Sequence, residues 1–132
     1  MEVKMAKTAG FCFGIERAVN IVYKEIEESK LVYTYGPITH NEEVIKDLTN
    51  KGVKVLESLE ELKNIEKSTI VIRAHGVAKE VYDTIESKGH SLVDATCPYV
   101  RKIHKIVQRE TEKGRHIIIV GNNTHPEVEG IK

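Results

Sequence analysis

The chain has 132 residues, with 20 Lys and Arg against 20 Asp and Glu and a formal net charge of zero. Apolar residues make up 40 % and charged residues 30 %, the balance of one globular domain large enough to bury a core without disulfide staples. That balance gives no global attraction to nucleic acid or to an anionic membrane, and the longest late apolar run, residues 117–120, is far too short to span a bilayer.

Along the chain, short strand-like runs alternate with longer helical ones. Residues 3–6 read as a strand, with no apolar stretch around them long enough for a signal peptide. Between 14 and 29, Ile15, Ala18, Val19, Val22, Tyr23 and Ile26 recur at three-and-four spacing, which predicts an amphipathic helix. Residues 31–35 predict a strand ended by Gly36-Pro37. Asn41 suits the cap of the next helix, with Val44, Ile45 and Leu48 on one face and Gly52 just past its end. A short strand is expected at 53–56, and Ser58 followed by Glu61 is a capping-box pattern opening a brief helix. Residues 69–73 predict a buried strand, 78–88 a helix stopped by Gly89, and 92–93 a strand leading to Cys97. Residues 98–113 predict a helix with Val100, Ile103, Ile106 and Val107 turned inward, and 116–120 a last strand. Pro126 fits the first position of a further helix, and so few residues follow it that a fragment of a longer protein is expected. Strict alternation, with runs such as Ile117-Ile118-Ile119-Val120, predicts an α/β fold: a mostly parallel sheet with helices on both faces.

The chain has two cysteines. Cys97 closes the run Ser91-Leu92-Val93-Asp94-Ala95-Thr96 and is followed by Pro98; Cys12 sits in Ala9-Gly10-Phe11-Cys12-Phe13-Gly14. Both are expected where a strand hands over to a helix, whereas a structural cysteine is usually a small apolar residue inside an element. A cytoplasmic location with reduced thiols is expected, which favours metal, cluster or catalysis over a structural disulfide. Zinc would need close ligand pairs that are absent. A Cys–His nucleophile pair needs only one cysteine. An iron–sulfur cluster suits strand-end thiols, one of them followed by Pro, yet a cubane normally takes four cysteines. On these residues alone the choice stays open.

In open α/β sheets ligands bind beyond the carboxyl ends of the strands. Cys12, His40, His75, Cys97 and His125 are all expected there, with Glu127 close behind His125. His40, His75 and His125 stand next to helix starts, where backbone N–H groups favour anions, so a phosphate or diphosphate is a natural ligand. No Gly-x-Gly-x-x-Gly or P-loop pattern is present. Glu127 is either a first-turn residue that suits the helix dipole or, if buried, a proton donor. His90, His104 and His116 read as non-catalytic. Arg101, Lys105 and Arg109 form a basic stripe at four-residue spacing, either a solvated face or a docking face for an acidic electron donor.

Five motifs in this order resemble the N-terminal part of the IspH/LytB family, the 4-hydroxy-3-methylbut-2-enyl diphosphate reductases. They are Ala9-Gly10-Phe11-Cys12-Phe13-Gly14, Thr39-His40-Asn41, Arg73-Ala74-His75-Gly76, Asp94-Ala95-Thr96-Cys97-Pro98 and His125-Pro126-Glu127-Val128-Glu129-Gly130. The resemblance implies an oxidoreductase of the last step of the non-mevalonate isoprenoid pathway, yielding isopentenyl and dimethylallyl diphosphate. It implies three α/β domains around a central [4Fe–4S] cluster with one cysteine from each, Cys12 and Cys97 being two of the ligands. It implies that His40, His75 and His125 bind the diphosphate, that Glu127 donates protons, and that a ferredoxin- or flavodoxin-like protein supplies electrons. Residues 1–97 are then the first domain and 98–132 the start of the second, and this chain alone is expected to be catalytically incompetent. The rival readings are a non-catalytic metal- or cluster-binding α/β module and a Cys/His hydrolase.

Overall fold

A computed structural model describes residues 1–29 and 31–132. Helix α1 (Phe13–Glu28) starts at once after Cys12, which holds the extended N-cap conformation, and buries Ala18, Val19 and Val22 along one stripe. Strand β1 (Val32–Tyr35) follows. Helix α2 (Glu42–Asn50) is capped by the Asn41 side chain, which accepts the Val44 N–H at 3.1 Å, with Glu42 and Glu43 in the first turn where the helix dipole favours acids. After β2 (Lys54–Leu56), helix α3 (Leu59–Asn64) is capped by Ser58, whose Oγ accepts the Glu61 N–H at 3.2 Å. Strand β3 (Thr69–Ile72), helix α4 (Lys79–Ser87) and strand β4 (Ser91–Asp94) complete the alternation. Helix α5 (Pro98–Glu112) opens on Pro98, whose missing N–H is no loss in a first turn. Helix α6 (Pro126–Ile131) does the same with Pro126.

The four strands form one parallel sheet in the order β2-β1-β3-β4. Tyr35 pairs with Ile72, and Ile72 with Asp94, so the carboxyl ends of β1, β3 and β4 are level. Period-two alternation splits the buried residues between the two faces. Val32 and Val71 pack with Ala18, Val19 and Val22 of α1 and Leu48 of α2. Tyr33, Ile70 and Ile72 pack with Leu62 of α3 and Val81 and Ile85 of α4. Strand β3 is buried on both faces, which is why it reads as an unbroken Thr-Ile-Val-Ile run. Ile70, Ile72, Leu62 and Ile85 are fully enclosed, each contributing roughly 1.5–3 kcal/mol of transfer free energy.

Three expectations fail. Residues 3–6 form no strand, so Cys12 follows an irregular, exposed segment rather than a strand end. Residues 116–120 form no strand either, and Ile118 and Val120 are almost fully exposed. Both segments have strand-like composition, but a strand exists only as part of a ladder, and neither pairs with a described strand. Ile103 and Ile106 of α5 are exposed rather than inward; the helix has no buried residue and meets its neighbours mainly through His104 and α6. Among the described residues, no helix is long and apolar enough to cross a membrane.

Candidate functional site

The segment after β4 is held by a continuous set of hydrogen bonds. Asp94 Oδ1 accepts the Thr96 N–H at 2.9 Å, and its other oxygen pairs with Arg101 of α5 at 2.8 Å. Ala95 N–H donates to Ile72 O at 3.0 Å, and Cys97 N–H donates to Ala74 O at 2.9 Å. Pairing between the β3 and β4 chains therefore continues past the regular ladder. Cys97 ends beside the turn that carries His75, as the N-cap of α5.

Cys12 is the N-cap of α1, and the first turn of that helix lies against Cys97. A Cβ added at Gly14 would stand 2.8 Å from Cys97 Sγ and 3.1 Å from its Cβ, closer than real side chains pack, so only glycine fits there. Arg17, one turn into the helix, donates from Nη1 to the carbonyls of Ala95 at 3.2 Å and Thr96 at 3.3 Å. The helix that Cys12 caps is thus packed on Cys97, and both cysteines are free thiols at helix N-termini, whose partial positive charge suits thiolate ligands. Sequence reading passed over Gly14 and Arg17. The glycine stood inside a recognised motif, and nothing in its type announced that it faces a thiol.

His40 and His75, beyond the ends of β1 and β3, form a row with His125, which caps α6 instead of ending the expected strand. The ring centroids of His40 and His75 are 6.1 Å apart, and those of His75 and His125 are 6.4 Å apart. His40 and His125 are exposed and His75 is half-buried. His125 Nδ1 accepts the Glu127 N–H at 3.3 Å, so in the neutral ring the proton sits on Nε2, free to donate outward. His75 Nδ1 is enclosed without a partner. Burial pushes the His75 imidazole below its ordinary range; Arg73, His40 and His125 add to this, and Glu127 opposes it.

Arg73 is a further cation at the row. A Cβ at Gly36 would lie 2.5 Å from its Nη1, so a side chain there would displace the guanidinium, and the φ of +72° calls for glycine on backbone grounds. Half-burial lowers the Arg73 guanidinium, with Glu129 opposing, but an arginine keeps its charge in any aqueous pH range. Glu127 is half-buried on α6, near enough to act electrostatically on both His75 and His104.

The other expected features separate cleanly. His90 sits before β4, at the opposite end of the strands, where its Nδ1 accepts the Ser68 N–H at 3.3 Å. His116 is exposed. The basic stripe is largely engaged: Arg101 with Asp94 and Arg109 with Glu110, leaving Lys105 exposed. Among the described residues, no group of three or more His, Cys, Asp and Glu side chains is arranged to hold a metal ion. Two free thiols at helix N-termini suit an iron–sulfur cluster as part of its ligand set, and the missing side chain at Gly14 leaves room beside Cys97 Sγ.

Fold and site together define a doubly covered parallel α/β protein with a row of imidazoles and an arginine beside the carboxyl ends of its strands and two thiols at helix N-termini. The chain belongs to the LytB protein family, whose model matches residues 3–132. It is 45 % identical over 133 residues to a 4-hydroxy-3-methylbut-2-enyl diphosphate reductase of Caldanaerobacter subterraneus subsp. tengcongensis, covering 99 % of this chain and 46 % of that protein. It is 47 % identical over 133 residues to the protein of the same name from Alkaliphilus oremlandii, covering 99 % of this chain and 47 % of that one. The solved structure of an (E)-4-hydroxy-3-methyl-but-2-enyl diphosphate reductase, described as the terminal enzyme of the non-mevalonate pathway, superposes with a TM-score of 0.83 at 39 % identity, over 96 % of this chain and 44 % of that one. A Plasmodium falciparum reductase superposes with a TM-score of 0.84 at 30 % identity, over 95 % of this chain and 39 % of that one. The chain spans about half the length of the curated relatives it matches.

Proposed function

We propose that this chain carries the diphosphate-holding histidines and two of the cluster thiolates of a 4-hydroxy-3-methylbut-2-enyl diphosphate reductase. The observation that carries the reading is the row of His40, His75 and His125, with ring centroids 6.1 and 6.4 Å apart. Family membership supports the reaction class.

In this reading the imidazole N–H groups donate to the diphosphate oxygens, with the His125 Nε2 proton already directed outward by the helix cap. Arg73 adds a fixed positive charge beside His75. Cys12 and Cys97 would hold two irons of a [4Fe–4S] cluster, which when bound supplies the electrons. Glu127, on the turn after His125, delivers protons at the reacting end of the substrate. The overall change balances with two electrons and two protons entering: the allylic C–O bond breaks, oxygen leaves as water, and carbon gains hydrogen. The electrons come from a ferredoxin- or flavodoxin-like donor. Residues 1–97 act as one α/β domain, and 98–132 open a second.

The test is a Mössbauer spectrum of the natural-length protein, reconstituted anaerobically with labelled iron. One iron distinct from the rest, shifting when 4-hydroxy-3-methylbut-2-enyl diphosphate is added, is expected. Absence of a cluster, or four irons indifferent to substrate, overturns the reading and favours a binding module or a Cys/His hydrolase.

A further inference from the structure

His104 lies mid-helix on α5, yet its ring leaves that helix's own neighbourhood and enters the site from behind. A Cβ at Gly76 would stand 2.8 Å from His104 Cε1, and one at Gly130 would stand 3.3 Å from the same atom. Gly76 follows His75 directly and has φ +73°. Gly130 lies on α6, the helix capped by His125 and carrying Glu127. Gly130 also approaches the turn itself, since its Cβ would lie 3.4 Å from Val77 N and 3.5 Å from Gly76 C. One imidazole is therefore the packing element between three pieces of chain that share no sequence neighbourhood.

A pure spacer at this point would be apolar. Instead the His104 Nε2 is enclosed with no hydrogen-bond partner, an arrangement that costs stability and calls for an explanation. Burial holds the ring toward its neutral form, with Asp94 and Glu127 opposing. We propose that His104 is a positioning residue: its imidazole, seated between Gly76 and Gly130, holds the His75 turn and the helix bearing His125 and Glu127 at the spacing a diphosphate requires. The role rests on the diphosphate-binding reading above. It explains why glycine stands on both sides of the ring, since a side chain at either position would push it out.

The experiment is calorimetric titration of inorganic pyrophosphate into the cluster-loaded, natural-length protein, with thermal melting of each variant. His104→Ala is expected to weaken pyrophosphate binding about tenfold, the order that misplacing binding groups by a fraction of an ångström produces. Gly130→Ala is the second variant, because its new Cβ would press on the His104 ring at 3.3 Å while replacing none of His40, His75, His125 and Glu127, and because alanine improves helix propensity. It is expected to weaken binding several-fold while its melting temperature holds or rises, a split that a merely structural His104 would not give. Binding within about twofold of the unsubstituted protein in both variants, less than half a kcal/mol, overturns the role of His104 and leaves the diphosphate site standing. No pyrophosphate binding by the unsubstituted protein overturns the diphosphate reading itself. If His104→Ala fails to fold, Gly130→Ala decides alone.

Discussion

The Cys97 N–H donates to the Ala74 carbonyl at 2.9 Å, joining the thiol at the start of α5 to the residue immediately before His75. A candidate cluster ligand and a candidate diphosphate ligand are thus set by one backbone hydrogen bond between chains that have already left the sheet. Anything that moves the β4–α5 connection should disturb both functions together.

Gly14→Ala tests the closeness of α1 to Cys97. The new Cβ would lie 2.8 Å from Cys97 Sγ, while alanine is the better helix former by up to about 1 kcal/mol. Iron and sulfide content after anaerobic reconstitution of the natural-length protein should fall, and melting temperature should drop as well, because the overpacking cost of about 1–3 kcal/mol outweighs that gain. Full cluster loading in this variant would mean that Cys97 does not need the space.

Asp94→Ala removes the acceptor of the Thr96 N–H and the partner of Arg101. Unfolding in urea should show a loss of about 1–2 kcal/mol, most of it from the orphaned N–H. Arg101→Ala should cost less than about 1 kcal/mol, because that ion pair is only partly buried and its loss leaves no backbone N–H unpaired. Equal costs would show that the ion pair, and not the turn, holds the segment.

Ile72→Ala should destabilise by about 2–5 kcal/mol, since Ile72 is fully buried at the end of β3, the strand covered on both faces. Ile103→Ala should stay within about 0.5 kcal/mol in this 132-residue chain, since Ile103 is 49 % exposed on α5. Chemical denaturation of both variants distinguishes a core residue from an apolar residue that merely follows helical spacing.

The half-buried His75 and His104 make stability pH-dependent in a defined direction. Both imidazoles are held below the ordinary value of 6.5. In the unfolded chain they take a proton near that value; in the folded chain they resist it. Stability is therefore complete above about pH 6.5 and falls as pH drops from there through the lower folded values. Melting temperature measured from pH 7.5 to 5 should decline, and His75→Phe should flatten the decline. A flat profile in the unsubstituted chain would contradict the burial of these rings.

Glu127→Gln in the natural-length protein should lower kcat by about 100-fold or more with little change in KM, the signature of a lost proton donor rather than a lost contact. A rise in KM alone would reassign Glu127 to binding. The 132-residue chain by itself, with its two cysteines, should not turn over under anaerobic reduction.

Much of the fold was legible because local physics and tertiary packing agree. Asn41 and Ser58 cap the helices that their side chains predict. The Thr-Ile-Val-Ile run forms the doubly covered strand that its lack of alternation implies. His40 and His75 could be placed at one edge from topology alone, because parallel strands put every carboxyl end on the same side; His125 joins them as the N-cap of α6 and not at the end of a strand. The failures share a cause. Residues 3–6 and 116–120, and Ile103 and Ile106 on α5, have the composition of paired or buried chain but no partner among the described residues.

The sequence by itself determined which segments could be helix or strand, where each helix starts, and which residue types stand at strand ends. These follow from periodicity, capping and backbone stereochemistry, which act within a few residues. Only the tertiary structure decided that Gly14 faces Cys97, that Arg17 ties α1 to the Ala95 and Thr96 carbonyls, and that His104 sits between Gly76 and Gly130. Those contacts join residues far apart along the chain. Their strength comes from close packing and from donors meeting carbonyls across elements, and no pattern within one element encodes the partner.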